Sequence, residues 1–398
     1  MTSDPVRRYL ELGLALGRHI DGFVDAYYGP AELADVAAHG PPRPPGALEQ
    51  EARRLLADLR SGTEAAELDA GRRRWIAGQV EGLRTTAAIL DGRPVRYSDE
   101  VESCYGVRPR RISEDELAIA HQELDHALPG SGPLGERYIQ WREAQAIPVD
   151  KLRPAIASLA EDLRQRTVDL FGLPDGEHID FDLVTDKPWA GFNYYLGDLH
   201  SRVVVNVDLP VLSPGLAHLV AHEAYPGHHT EHSRKEAGLV RQRNHLEETI
   251  FLVGTPQCLM AEGLADLGLE VVLGPRPEPV IAEHLRPLGI RYDAEVVAAV
   301  AHAGEALSRV RGNAALLLHE DRCEVEQVID FIARWSLLSR RRAEKAIEFL
   351  TDPTWRAYVT CYIEGLALCR SYVGGRPEHF LRLITDQLLP ADLEAPAA

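Results

Sequence analysis

Ala221-His222-Glu223-Ala224-Tyr225-Pro226-Gly227-His228-His229 closes an apolar, helix-compatible run that includes Leu216-Ala217-His218-Leu219-Val220. A His-Glu pair on a buried helix, followed by further histidines, is the framework of a catalytic zinc site. In the His-Glu-x-x-His form the two histidines lie one turn apart on one face and hold the metal. The Glu beside the first is then the general base toward a metal-activated water. This chain departs from that spacing. Pro226 stands where the second histidine would be, and His228 and His229 follow His222 by six and seven residues. On an unbroken helix at about 100° per residue, the seventh position returns to the starting face and the sixth does not. Pro226 argues against an unbroken helix, because it lacks an N–H and disfavours helical angles at Tyr225. Gly227 can take backbone angles closed to other residues. The stretch therefore predicts a helix whose last turn is opened by two extra residues, swinging His228 toward the metal. His229 is the alternative ligand and otherwise a substrate contact. The plainer explanation is a helix end whose histidines cap the last carbonyls. Five histidines between 218 and 232, two of them adjacent behind Pro-Gly, favour the metal.

A third protein ligand is required, and two histidines with one carboxylate leave a catalytic zinc ion an open position. Met260-Ala261-Glu262-Gly263-Leu264-Ala265-Asp266, in a helix-compatible segment, supplies Glu262, with Glu247 and Glu248 as rivals. Asp266, one turn further on, is placed to orient a ligating histidine.

His222-Glu223-Ala224-Tyr225-Pro226-Gly227-His228-His229 resembles the signature of the bacterial family known as domain of unknown function 885. That family is grouped with zinc metallopeptidases of the His-Glu helix plus downstream Glu type, such as carboxypeptidase Taq and thimet oligopeptidase. The resemblance spans roughly residues 190–370 and contributes little in the N-terminal third. Glu262 resembles the Glu of the family's Glu-Gly-aromatic-Ala motif, although Leu264 stands in the aromatic position. An Asn after an apolar strand corresponds to Asn206, a substrate contact beside a candidate edge strand from Val203 to Val207. Arg311 and His319 match the family's stretch of Arg, small-residue helix and His, although Ala315-Leu316-Leu317-Leu318-His319 replaces the usual Asp-x-Gly-x-His ending. The resemblance implies Arg311 as the holder of a substrate carboxylate and His319 as a donor to a developing oxyanion. Tyr362, three residues before Gly365, matches the closing segment and is a second oxyanion candidate, with Tyr358 as its rival. The fold so implied is mainly α, a helical metallopeptidase-like architecture with a small β-sheet next to the metal helix. The implied function is zinc-dependent hydrolysis of a peptide or small amide, with Glu223 as base. A metal-dependent lyase or specialised amidohydrolase, or a non-catalytic zinc protein, are the alternatives.

The rest of the chain sets bounds. Its 398 residues allow a large core, and 45% hydrophobic with 26% charged content is that of a globular protein. A net charge of −18 argues against nucleic acid and anionic membrane as partners. The five cysteines are scattered without a Cys-x-x-Cys pair, so neither a disulfide framework nor a thiolate zinc site is indicated. The N-terminal segment lacks a signal-peptide core and no run is long enough to cross a membrane, which gives a cytoplasmic expectation. Residues 5–27 read as one amphipathic helix, with His19, Asp21 and Asp25 on its solvated or capped face. Gly40 to Gly46 reads as a stiff loop, and helices are expected over 47–61 and 66–91. Ser113 and Glu116 form a capping-box pattern, and Pro129 to Pro133 marks a boundary. An N-terminal helical region, 1–133, would thus precede a catalytic metal-binding region, 134–398, in one continuous unit. Short strands are expected near 178–184 and 201–208, with an aromatic, turn-rich stretch between them.

Overall fold

The computed structural model describes residues 4–62, 67–187, 189–353 and 355–394. Helix makes up 65% and strand 8%, so the fold is mainly helical with small sheets, as expected. In chain order the elements are α1 (Pro5–Leu16), β1 (Val24–Tyr27), α2 (Ala31–His39), α3 (Pro45–Ser61), α4 (Ala70–Leu90), α5 (Tyr97–Tyr105), α6 (Glu114–Ala127), α7 (Leu134–Glu143) and α8 (Val149–Phe171). Then come β2 (His178–Val184), β3 (Gly191–Gly197), β4 (His200–Asn206), α9 (Ser213–Glu223), α10 (His228–Lys235), β5 (Ile250–Leu252), α11 (Pro256–Leu273), α12 (Glu278–Leu285) and α13 (Ala294–Ser308). The last third holds α14 (Val310–His319), α15 (Val325–Trp335), α16 (Arg340–Thr351), a π-helical turn (Cys361–Gly365), α17 (Leu366–Val373), α18 (Pro377–Thr385) and α19 (Pro390–Glu394).

Local chemistry accounts for several of these boundaries. Asp4 accepts from the Val6 N–H just ahead of Pro5, and Ser113 with Glu116 closes the expected capping box on α6. The helix read over 5–27 instead stops at Leu16. Gly22 takes a left-handed φ of 75°, and β1 then pairs antiparallel with β5. A distant strand decides this segment, so its helical periodicity was a poor guide to its second half.

The same pairing joins the first helices to a strand far along the chain in one core. Tyr9, Leu12 and Leu16 of α1, Leu48 and Leu55 of α3, and Trp75 and Ile76 of α4 pack with Ile250 and Leu252 of β5. A larger core gathers Tyr97 and Val101 of α5, Leu159 of α8, Leu216 and Val220 of α9, Leu259 and Leu264 of α11, and Phe380 of α18. Residues 129–133 do form a loop. Packing nevertheless crosses it, since Leu124 and Leu128 bury against Val300 and Ala303 of α13.

The sheet before α9 has the order β2-β4-β3. This corrects the edge assignment of Val203 to Val207. Val203, Val204 and Val205 are all buried, and β4 is the central strand, parallel to β2 and antiparallel to β3. Consecutive apolar residues on both faces are what a central strand requires. β3, from the stretch read as turn-rich, is an edge strand, and its Asn193 bonds to the last residue of α9.

One close crossing sets the position of α11. A Cβ on Gly263 would lie 2.3 Å from the carbonyl carbon and oxygen of Gly365, and one on Gly365 would lie 2.6 Å from the Leu259 carbonyl oxygen. Two facing glycines thus let α11 and the π-helical turn touch backbone to backbone. Glu262 is thereby brought beside the tyrosines that precede Gly365.

Candidate metal centre

The Pro-Gly segment does more than loosen a helix end. α9 stops at Glu223, and His228 opens a second helix, α10. Between them the Tyr225–Pro226 peptide is cis, and the Gly227 N–H donates to the Ala221 carbonyl at 2.9 Å. A Cβ at Gly227 would sit 1.9 Å from the His222 carbonyl oxygen, so only glycine fits where the chain doubles back. Pro226 packs against Gly268 of α11. The turn brings His228 Nε2 to 3.1 Å from His222 Nε2, although the two are six residues apart.

α11 delivers the third group. Glu262 Oε2 lies 3.4 Å from His222 Nε2 and Oε1 lies 3.7 Å from His228 Nε2. Oε2 is buried without a hydrogen-bond partner, an arrangement costly for a carboxylate unless a cation takes the place. Ligands at 2.0–2.1 Å around a tetrahedral zinc ion stand about 3.3 Å apart, close to the separations here. These three residues fit a zinc ion. The tyrosine hydroxyl of Tyr358 donates to Glu262 Oε1 at 2.6 Å, and Asp266 Oδ1 engages His222 Nδ1 at 2.8 Å. That second contact fixes the tautomer that presents Nε2 to the shared space. His218 also approaches Asp266, at 3.4 Å, but His222 Nδ1 is already committed there, so His218 adds a contact to Asp266 rather than a second complete set.

Electrostatics follow from burial. Burial lowers the His222 pKa, yet Asp266 and Glu262 together hold it well above its ordinary value. Burial and then the charge of His222 push His228 down to about 4. Burial works against ionisation of Glu262, but His222 and His228 outweigh it and hold the carboxyl at about 2. A cation among the three would take over the role the imidazolium proton plays here. Glu223 is pushed up to about 7, by burial first and then by Glu262 and Asp266 against the pull of His222. Its backbone carbonyl accepts from Asn193 Nδ2 at 2.5 Å, which ties β3 to the end of α9. A Cβ on Gly191 would stand 3.4 Å from Glu223 Oε1, so the β3 backbone runs alongside this carboxylate.

The remaining expected residues divide. His229 is fully buried and faces away, pairing with Ser201 Oγ and Glu177 Oε2, each at 2.8 Å. It holds the fold around the turn, which corrects both its ligand and its substrate reading. Glu247 is taken by a two-point pair with Arg72, and Glu248 accepts from Gln257. Asn206 spends its amide on the carbonyls of Lys187 and Trp189 and its oxygen on the Asp208 N–H, so it builds a turn. Asn193 is the asparagine that reaches the site. Arg311 is exposed and makes no ion pair among the described residues, while its neighbour Arg309 pairs with Glu364. His319 stacks on Tyr97, and its Nε2 donates to the Leu350 carbonyl at the end of α16. That nitrogen is engaged outside the cluster, which corrects its oxyanion role. Tyr362 stands at the rim, 40% exposed and edge-on to Tyr358 at 5.4 Å. Asp25, read from sequence as part of a solvated face, is half-buried on β1, and burial first and then the charges of Glu262 and Glu223 push its carboxyl up to about 7. Its position depends on the β1–β5 pairing, which no local pattern announces.

No family model matches the chain, and no curated protein matches it. Among solved structures it is similar to one from Colwellia psychrerythraea described as a "putative lipoprotein", with a TM-score of 0.54 at 16% identity. That match covers 87% of this chain and 65% of the other, so this chain spans just under two thirds of that protein's length. A "putative lipoprotein of unknown function" from Shewanella oneidensis matches with a TM-score of 0.49 at 13% identity, covering 91% of this chain and 74% of the other. The first likeness is one of fold.

Proposed function

We propose that this chain is a zinc-dependent hydrolase of amide or peptide bonds, akin to the family it resembles in sequence. The observation that carries the reading is the convergence of His222 Nε2, His228 Nε2 and a buried, unpartnered Glu262 oxygen, with Glu223 next along the chain from His222. His222, His228 and Glu262 would hold the ion, leaving a position open. When bound, zinc supplies Lewis acidity that acidifies water and polarises a carbonyl.

The chain's own residues do the rest. Glu223 takes a proton from the attacking water as oxygen bonds to the carbonyl carbon. It passes that proton to the departing nitrogen as the C–N bond breaks, so one water is consumed per bond cleaved. Asp266 keeps His222 in its presenting tautomer, and Tyr358 holds Glu262 by Oε1 and leaves Oε2 for the ion. Asn193 fixes the main chain of Glu223. β3, an edge strand beside Glu223, suits an extended substrate bound through backbone hydrogen bonds. Tyr362, at the rim, is the remaining candidate to donate to the carbonyl oxygen.

The test combines metal analysis with one isosteric variant. The purified protein is expected to hold one equivalent of zinc, lost in His222→Ala and in His228→Ala. Glu223→Gln should keep the zinc and lose at least about a hundredfold in turnover of peptides or acyl-amides. Normal turnover by Glu223→Gln, or zinc retained without His228, would overturn the reading.

A further inference from the structure

A cavity of about 400 Å³ lies where the end of α8, the residues that follow α10 and the end of α18 meet. That volume is in the range of small-molecule sites. Leu173, Pro174 and Leu239 give it apolar lining, and Arg234 and Arg243 give it charge. Leu239 belongs to a second π-helical turn, Glu236–Arg241, that continues α10, and such turns recur at functional sites.

Arg234 is half-buried, and its Nη1 donates to the carbonyls of Phe171 and Gly172, at 2.5 and 2.6 Å, where α8 ends. Capping a helix accounts for that side of the guanidinium. It does not account for the other side. Nε and Nη2 form the edge that grips a carboxylate or a phosphate at two points. Nε is buried without a partner, and Nη2 has no acceptor among the described residues. Burial lowers the pKa of Arg234 with no carboxylate to offset it, and a desolvated cation left unpaired is costly. Asp386 also lines the cavity, but its charge is engaged by a neighbour on its own helix. Its Oδ2 accepts from Arg382 Nε and its Oδ1 from Thr385 Oγ1, each at 3.1 Å. Arg243 is exposed and makes no ion pair among the described residues. Two guanidinium groups without carboxylate partners therefore line one cavity, in a protein whose net charge is −18.

We propose that this cavity is a binding site for a small organic oxyanion, a phosphate or carboxylate group carried on an apolar body. The Nε–Nη2 edge of Arg234 grips the oxygens, Arg243 adds charge, and Leu173, Pro174 and Leu239 receive the body. His222, Glu223, His228 and Glu262 are not among the residues that line it, so the site is separate from the metal cluster and goes beyond the hydrolase reading.

The experiment uses two probes that no hydrolase can cleave, phenylphosphonate and benzoate. Each is titrated into the full chain at constant ionic strength and followed by ligand-detected NMR. At least one should bind with a dissociation constant of about 1 mM or tighter, and the tighter of the two tells phosphate from carboxylate as the preferred group. Arg234→Lys, which keeps the charge and loses the fork, should weaken that probe at least about tenfold, and Arg243→Gln at least about threefold. Both variants are checked for the parent's melting temperature. Should Arg234→Lys fail to fold, the exposed Arg243→Gln alone decides. His228→Ala, which dismantles the metal cluster, should bind the probe as the parent does. Binding of neither probe, affinity unchanged by the arginine variants, or binding lost with His228 would overturn the assignment. Because no turnover is read, the result stands whether or not the chain proves to be a hydrolase.

Discussion

Asp266 shows how much of this centre depends on one side chain that is not itself a ligand. Its Oδ1 meets both His222 Nδ1 and His218 Nε2, so it decides which nitrogen of His222 faces His228. Replacing it by Asn leaves the shape but offers an amide that can no longer accept as an anion. Asp266→Asn is expected to weaken zinc binding about 10- to 100-fold, measured by competition with a chromogenic chelator. An unchanged affinity would mean that the backbone alone orients His222. At this scale the sequence was most legible where chemistry restricts the residue type. His222, Glu223 and Glu262 announce themselves because few other roles put such groups on apolar helices. Asn193 does not, since the residue is commonplace in a turn and its use here depends on Glu223, thirty residues along the chain.

At the scale of elements, the turn between α9 and α10 is braced from behind. Glu177, just before β2, accepts from Tyr225 Oη at 2.7 Å and pairs with His229 Nε2 at 2.8 Å and Arg164 Nε at 2.7 Å. α8, the Pro-Gly turn and α10 are clamped to one buried carboxylate. Burial alone would raise its pKa, but His229, Tyr225 and Arg164 outweigh that and hold it at about 2. A folded pKa below the unfolded one means that the folded state gives up its proton more readily. The stabilisation is therefore complete above the unfolded value, near 4.5, and is lost as pH falls toward 2. Glu177→Gln is expected to lower stability at pH 7 by roughly 1–3 kcal/mol, with the gap to the parent closing between those two values. Denaturant melts at a series of pH values measure it, and a gap that stays constant with pH would show that the loss is one of packing. Elements with their own local signals, such as α6 with its capping box, could be read directly. β3 could not, because its strand character comes from pairing with β4. The π-helical turn was also hidden, since it reflects the approach of Gly365 to Gly263 rather than a local propensity.

Across the whole molecule, the centre is assembled from distant parts: β3 and α9 to α11 in the middle, and Tyr358 and Tyr362 near the end. Both larger cores mix early and late residues, and α6 packs on α13 across the loop at 129–133. Two separable halves are not expected. A chain beginning at residue 31 would lack α1 and β1, leaving the apolar faces of α3, α4 and β5 without their partner. It is expected to lose the cooperative thermal transition of the full chain, read by calorimetry or circular dichroism. A transition retained within a few degrees would show that the remainder folds unaided. The mainly helical class was visible in the periodicity of the sequence because helix signals are local. This interleaving was not, because strands β1 and β5 are too short to carry a signal of their own.

The pairing of Val24 with Leu252 also imposes an order on synthesis. More than two hundred residues separate the two, so at ordinary elongation rates the first strand waits about 10–50 s for its partner to be made. During that interval α1, α3 and α4 can gather on the ribosome, but with an open edge and an uncovered apolar face. The nascent chain thus carries an unpaired strand until Leu252 has been made. The cluster around Glu262 is completed later still, since Tyr358, whose hydroxyl donates to Glu262, is made about a hundred residues after Leu252.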